Sequence, residues 1–293
     1  MNSELSTRIH ERMKSFSKGQ RRIAAYIEEH YDKVAMMTAS RLGATVGVSE
    51  STVVRFATEL GYSGYAELQR AMQEMIRSRL NSVQRFEITA VNVPYRELLS
   101  AAINQDIDML RSTLEETSED DFYATVDAMM HAKRVYIIGS RSSLALATFM
   151  AHYLELIFEN VHLLDATNEA HIFEQLIRLD KDDAVIGISF PRYSKKVITA
   201  MRFASDTGAV CVALTDTETS PVAKAANHKL LVRSDMVSFV DSLVAPLSLI
   251  NAFIVAIAMR KQNEVRGNLQ KLERIWDEYG IYEKVDEKDT NHV

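Results

Sequence analysis

Cysteine is nearly missing from the sequence, and the single one, Cys211, lies in the apolar run Ala209–Leu214. One thiol excludes a disulfide framework within the chain and any multi-cysteine zinc site, so Cys211 reads as a packing residue. A membrane-spanning run is missing too. The most apolar stretch, Ser242–Met259, is interrupted by Pro246, Ser248 and Asn251 and reads as a buried helix. Met1–Lys18 is polar and charged and lacks the apolar core of a signal peptide. Internal repeats and low-complexity tracts are absent as well. A cytoplasmic protein with no membrane association is expected.

What is present is the composition of an ordinary globular protein, with 47% hydrophobic and 25% charged residues. At 293 residues the chain exceeds the comfortable size of one core, so two domains are expected. The net charge of -6 is unevenly spread. Residues 1–80 carry 12 Lys and Arg against 9 Asp and Glu, whereas residues 81–293 carry 22 against 31. A mildly basic N-terminal part is permissive for nucleic acid, because only the local field matters at a DNA surface.

From Lys18 to Arg79 the apolar residues fall at helical spacing, as in Ile23 and Ile27, then Leu42 and Val46. Beyond Arg134 the pattern changes to short apolar β-branched runs separated by amphipathic helical stretches. The runs are Val135–Ile138, Val161–Leu164, Ala184–Ile188, Val210–Leu214 and Lys229–Val232. The expectation is an all-α domain followed by an α/β doubly wound domain with a five-stranded parallel sheet. Ser82–Val93 is poor in periodicity and Pro94 follows, which places the linker there. Tyr95–Thr117 reads as an amphipathic connecting helix that leads into the second domain or pairs with a second subunit. The expected boundaries are 1–80, a connection over 81–118, a second domain over 119–282 and a charged, frayed tail over 283–293.

Within Ala39–Phe56 the residues Leu42, Val46, Val48, Val53 and Phe56 fit two short helices packed across a turn supplied by Gly47. Gly43 stands where the helices approach most closely, and Ser49 is a good N-cap for the second helix. That helix exposes Glu50, Ser51 and Thr52 in its first turn and Arg55 one turn on. Hydroxyls and an arginine there suit phosphates and base edges in a major groove. The candidate DNA-binding residues are Ser49, Glu50, Ser51, Thr52 and Arg55, although Glu50 taken alone fits a solvated surface position better.

The stretch Phe16–Met72, above all GVSESTVVRFATELGYSGYAEL, closely resembles the N-terminal domain of the RpiR family of bacterial sugar-metabolism regulators. The family fragment VSxxTVxRFxxxLGxxGxxxL is matched by Val48, Ser49, Thr52, Val53, Arg55, Phe56, Leu60, Gly61, Gly64 and Leu68. This resemblance implies a helix-turn-helix transcription regulator that binds DNA.

In the second half, Gly139 ends the first strand and is followed by Ser140, Arg141, Ser142 and Ser143 before a helical stretch. Hydroxyls at a helix N-terminus after a strand-end glycine make an anion site, or simply a capped turn. The third strand repeats the pattern with Ser189, Arg192, Tyr193 and Ser194. Two such loops at the carboxyl ends of adjacent strands form the crevice where open α/β sheets bind ligands. The candidate effector-binding residues are therefore Ser140, Arg141, Ser142, Ser143, Ser189, Arg192, Tyr193 and Ser194.

Residues 120–265, including Ser220-Pro-Val-Ala-Lys-Ala, resemble the sugar isomerase (SIS) domain that follows the helix-turn-helix in the same family. Two departures stand out. The family's Gly-x-Gly-x-Ser is here Gly139-Ser140-Arg141-Ser142-Ser143, and its Ser-x-Ser-Gly-x-Thr is here Ser189-Phe190-Pro191-Arg192-Tyr193-Ser194. Ser143, Ser189 and Ser194 keep the hydroxyls that, by resemblance, hold a sugar phosphate, while Pro191 removes one hydroxyl and one backbone donor. Arg141 and Arg192 suit a sugar acid equally, since guanidinium forks take either anion. A small anionic sugar derivative is expected as effector, with a phosphosugar ahead of a sugar acid.

The competing reading is a sugar-phosphate isomerase on the same fold, with His152 and Glu155, or His171 and Glu174, as candidate proton-transfer pairs. The attached helix-turn-helix has no role in that chemistry. A DNA-binding regulator is therefore expected, neither an enzyme nor dependent on a metal or cofactor. As a homodimer or homotetramer, with Tyr95–Thr117 and Leu243–Met259 as candidate interfaces, it would act on a palindromic operator.

Overall fold

The computed structural model describes residues 4–77, 81–234 and 239–283; of the expected tail only Glu283 falls among them. The chain divides into two compact units, residues 1–96 and 97–293, so the division lies inside the stretch expected to connect the domains.

The first unit is helical: α1 (Glu4–Arg12), α2 (Lys18–Glu29), α3 (Tyr31–Val34), α4 (Ala39–Val46), α5 (Glu50–Glu59), α6 (Tyr65–Arg77) and α7 (Ser82–Asn92). Ser17 begins α2 with a reciprocal capping box to Gln20. Buried Ile23 and Ile27 of α2, Leu42 of α4, Val53 and Phe56 of α5 and Leu68 of α6 share one core. Phe16 and Phe56 pack with ring centroids 5.1 Å apart. Although Ser82–Val93 lacks clear periodicity in the sequence, α7 forms there. The Asn81 side chain accepts from Gln84 N–H and the Gln84 side chain accepts from Asn81 N–H, so a capping box starts the helix where the apolar pattern is weak. Its Val83, Phe86 and Val91 stay exposed, which is why the pattern is diffuse.

The second unit begins with α8 (Leu98–Glu116) and α9 (Glu119–Met129) and then alternates. Its elements are β1 (Val135–Gly139), α10 (Ser142–Leu154), β2 (Val161–Leu163), α11 (Glu169–Gln175), β3 (Ala184–Ile188), α12 (Lys195–Asp206), β4 (Val210–Thr215), β5 (His228–Leu231), α13 (Val244–Arg260) and α14 (Gln262–Tyr279). The strands form one parallel sheet in the order β2-β1-β3-β4-β5. Each of the five apolar runs seen in the sequence supplies one strand.

Alternation along the strands fills both faces. Val135, Ile137, Ile186, Ile188, Val212 and Leu214 pack with buried residues of α8, α9, α10 and α13, whereas Tyr136, Ile138, Val185, Cys211 and Ala213 pack against α11 and α12. Among the described residues no single helix is long and apolar enough to cross a membrane. Ser242–Met259, expected as a buried helix, is buried on one side only: Leu249, Ile250, Phe253 and Ile257 enter the core, while Val255 and Met259 are exposed. Two of the interrupting residues, Ser248 and Asn251, fall on that exposed side together with Val255 and Met259, while Pro246 is buried.

At the amino ends of β1 and β3 the fully buried carboxylate of Asp183 is held by Arg134, whose Nε donates at 2.9 Å and whose second amino group lies 2.8 Å away. The backbone N–H of Asp180 also donates to it, at 2.9 Å. Replacing Arg134 with Ala leaves a buried carboxylate without its cation, which should lower the unfolding free energy by about 3 kcal/mol. Denaturant titration checks this, and a loss under about 1 kcal/mol would show that the clamp is dispensable. Burial raises the Cys211 thiol to about 11, so it stays protonated at neutral pH. It should react with an aromatic disulfide reagent only after unfolding, and rapid reaction with the native chain would contradict its placement.

Candidate functional site

The first candidate site is the α4–α5 pair. Thr38 caps α4 through Arg41 N–H, and α4 ends at Gly47 in the left-handed region, φ 68°. A Cβ added at Gly43 would lie 2.8 Å from the Val48 carbonyl and 3.3 Å from Glu50 N, so the helices meet where only glycine fits. Ser49 caps α5, its Oγ accepting from Thr52 N–H at 3.3 Å and lying within 2.9 Å of the Ser51 and Thr52 hydroxyls. Val53, Phe56 and Ala57 anchor α5 in the core. Ser49, Glu50, Ser51 and Arg55 are thereby presented to solvent, with Arg55 Nε leaning on Ser51 O at 3.4 Å.

Thr52 departs from its four companions. It is half-buried, and its methyl group lies 3.5 Å from a Cβ position at Gly19 of α2, so part of its role is packing. Sequence reasoning missed Arg22, which donates to Gly47 O at 2.7 Å and fixes the turn from outside. It lies well before the motif, so no local spacing announces it.

The second candidate site is the carboxyl edge of the sheet. The helix after β1, α10, packs on one face through Leu146, Ala147 and Met150. The helix after β3, α12, packs on the other through Val197, Ala200 and Met201. Loops that leave neighbouring strands toward opposite faces open a crevice between them.

In the β1 loop, Gly139 is sterically required. A Cβ there would lie 2.4 Å from the Ser143 carbonyl oxygen. Ser143 is buried and Ser140 half-buried, whereas Arg141 and Ser142 are exposed. In the β3 loop, buried Ser189 accepts from Ser194 N–H at 3.1 Å through its Oγ, which leaves its own hydroxyl proton available to a ligand. Ser194 stands at the N-cap of α12 but makes no side-chain cap bond. Tyr193 donates its hydroxyl to Asp216 Oδ1 at 2.9 Å. Thr215, not singled out in the sequence, lies with its Oγ1 2.8 Å from Ser189 O and 3.1 Å from Ser220 Oγ, tying the β3 and β4 ends together.

Two backbone facts were invisible in the sequence. Arg141 has φ 57° and ψ -125°, and Arg192 has φ 68°; they are the non-glycine residues with positive φ among those described. They are also the two arginines that stand where the family pattern has glycine. An L-residue in such a conformation costs about 1–3 kcal/mol and persists only where its surroundings impose it.

A groove of about 410 Å³ lies beside Arg141, lined by Ser140, Leu144, Leu163, Asp165 and Thr167. The Thr167 N–H, 2.8 Å from Asp165, holds that carboxylate below its ordinary range. The residues considered for proton transfer lie elsewhere. His171 pairs with Glu174 at 2.9 Å on the exposed surface of α11, and exposed His152 meets Tyr153 edge to face.

The strain gives opposite expectations for neighbouring substitutions. Replacing Arg141 with Gly should raise the unfolding free energy by about 1 kcal/mol, since relief of strain outweighs the added freedom of the unfolded chain. Replacing Gly139 with Ala should lower it by about 1–3 kcal/mol, because the new methyl group meets backbone. Thermal melts of both variants decide; a destabilised Arg141→Gly would mean that the guanidinium contributes more than its backbone costs.

Comparison with known proteins agrees with this geometry. Residues 3–79 match the family model described as helix-turn-helix domain, rpiR family, and residues 128–256 match the SIS domain. An uncharacterized HTH-type transcriptional regulator of Caldanaerobacter subterraneus is 24% identical over 88% of this chain and 91% of its own. The Escherichia coli regulator YfhH is 24% identical, covering 76% and 79%. The sugar isomerase domain of an RpiR transcription factor from Sphaerobacter thermophilus superposes with a TM-score of 0.58 at 28% identity, over 61% of this chain and 99% of that one. The Vibrio vulnificus NanR protein, solved with ManNAc-6P, has the same fold, with a TM-score of 0.57 at 20% identity over 94% and 99%. With both domains matched in this order, and relatives along most of its length that are transcriptional regulators rather than enzymes, the chain belongs to the RpiR family of DNA-binding helix-turn-helix regulators.

Proposed function

We propose that the chain regulates genes of carbohydrate or sugar-acid metabolism and that an anionic sugar derivative bound between the β1 and β3 loops controls its hold on DNA. The observation that carries this reading is the pairing, in one chain, of an rpiR-type α4–α5 motif with a strand-end crevice that presents Ser143, Ser189 and two arginines. NanR, with the same fold, was solved with a phosphorylated amino sugar, which supports a phosphosugar as effector.

Ser49, Glu50, Ser51, Thr52 and Arg55 form the DNA-facing turn. Ser140, Arg141, Ser142, Ser143, Ser189, Arg192, Tyr193 and Ser194 form the effector site. A homo-oligomer places two α5 helices on a palindromic operator, and effector binding favours one spacing of them over another. The size of the response is limited to the effector's differential affinity for the two states, typically about 1–3 kcal/mol.

Sequencing the genomic fragments retained by the full chain at physiological salt tests the reading. Enrichment of a palindrome beside sugar or sugar-acid genes is expected; no enrichment, with or without sugar phosphates, overturns it. On that operator, Arg55→Ala should cost about 1–3 kcal/mol of affinity with the effector response intact. Ser189→Ala should leave DNA affinity unchanged and weaken the response. Equal damage to both activities by both substitutions would contradict the separation of roles.

A further inference from the structure

A carboxylate already sits at the effector loop. Ser142, in the first turn of α10, donates its hydroxyl to Asp241 Oδ2 at 2.8 Å, across 99 positions of sequence. The start of α10 needs an anion. Of its first turn only Leu144 N–H finds a backbone acceptor, Arg141 O at 3.0 Å, while its N-cap residue Arg141 makes no side-chain cap bond and no acidic residue occupies that turn. Asp241 supplies from a distance the charge that the local sequence leaves out.

The same short segment grips α8. Ser242 donates to Asp106 Oδ1 at 2.6 Å and accepts from Val244 N–H as α13 begins. Just beyond β5, Arg233 makes a two-point pair with Glu116 at 3.0 and 2.9 Å, near the other end of α8. α8 is the first α-helix after the division at residues 96 and 97. One stretch of chain is thus tied both to the anion-seeking loop and to the helix that follows the DNA-binding unit in sequence.

We propose that Asp241 is a resident anion of the effector site: its carboxylate occupies the place of the effector's anionic group at Ser142, and an anionic effector acts by displacing it. The inference rests on the reading of the β1 and β3 loops as the effector site. Displacement breaks the Ser142–Asp241 bond. Because Ser242 is the next residue, the change reaches Asp106 on α8 directly. Asp241 is a positioning residue that sets how strongly an anion must bind to be sensed.

Titration of the full chain with inorganic phosphate, followed by calorimetry, tests the proposal. Asp241→Asn keeps the hydrogen-bonding shape and removes the charge, so phosphate should bind about 10-fold more tightly, or better, than to wild type. Asp241→Glu keeps the charge and should stay near wild type, which controls for a loosened loop. Unchanged or undetectable binding by Asp241→Asn, or equal tightening by both variants, overturns the proposal. The underlying reading fails in a different way: wild-type phosphate binding that is insensitive both to Ser142→Ala and to Arg141→Gly would show that the anion binds elsewhere.

Discussion

The sensor half depends on one topological constraint: the chain leaves β1 and β3, neighbours in the sheet, toward opposite faces. α10 must bury Leu146 and Met150 on one side and α12 must bury Val197 and Met201 on the other. The two helix starts therefore cannot close over the strand ends, and polar loops are left facing a crevice. Everything proposed for the effector follows from that opening. The hydroxyls of Ser143 and Ser189 are buried because the first turn of each following helix sits directly on its strand end. Gly139 permits the closest of these approaches, with no room for a Cβ beneath the Ser143 carbonyl.

The two halves treat local rules differently. In the α4–α5 pair the residues that set the geometry suit their places: glycine at the left-handed turn, glycine at the helix contact, serine at the cap and Leu42, Val53 and Phe56 inward. Such consistency specifies a rigid presenting surface. In the crevice the rules are broken where the ligand is expected, with arginine in backbone conformations that favour glycine and with the α12 cap hydroxyl making no cap bond. Strain concentrated at one edge of an otherwise well-packed sheet supports the proposal that the ligand binds there.

This contrast also explains what was legible in the sequence. The strands were readable because burial on both faces makes them short continuous apolar runs, and the helix-turn-helix because its turn, cap and core residues fall within eighteen positions. Ser189 and Ser143 could be placed from their strand ends alone. The backbone strain of Arg141 was hidden because a sequence shows a guanidinium and not a dihedral angle. Helix α7 was hidden because its start depends on a capping box, not on an apolar stripe. Asp241 was hidden for the most general reason: its partner Ser142 is 99 residues away, and no local period connects them.

The charge of Asp241 bears on which anion the site can sense. An intramolecular carboxylate competes at an effective concentration set by its tether, in the millimolar range for short flexible connections. A sugar acid brings one carboxylate of the same charge to the same donors, so it meets an equal competitor already in place and gains little by exchange. A phosphate monoester brings a charge of about -1.5 to -2 and three acceptor oxygens, more than one carboxylate offers to the Ser142 hydroxyl and the first amide groups of α10. The resident anion thus acts as a threshold that a phosphate passes and a lone carboxylate does not. On this argument the proposed effector is a phosphosugar before a sugar acid, because Asp241 already supplies a carboxylate at Ser142.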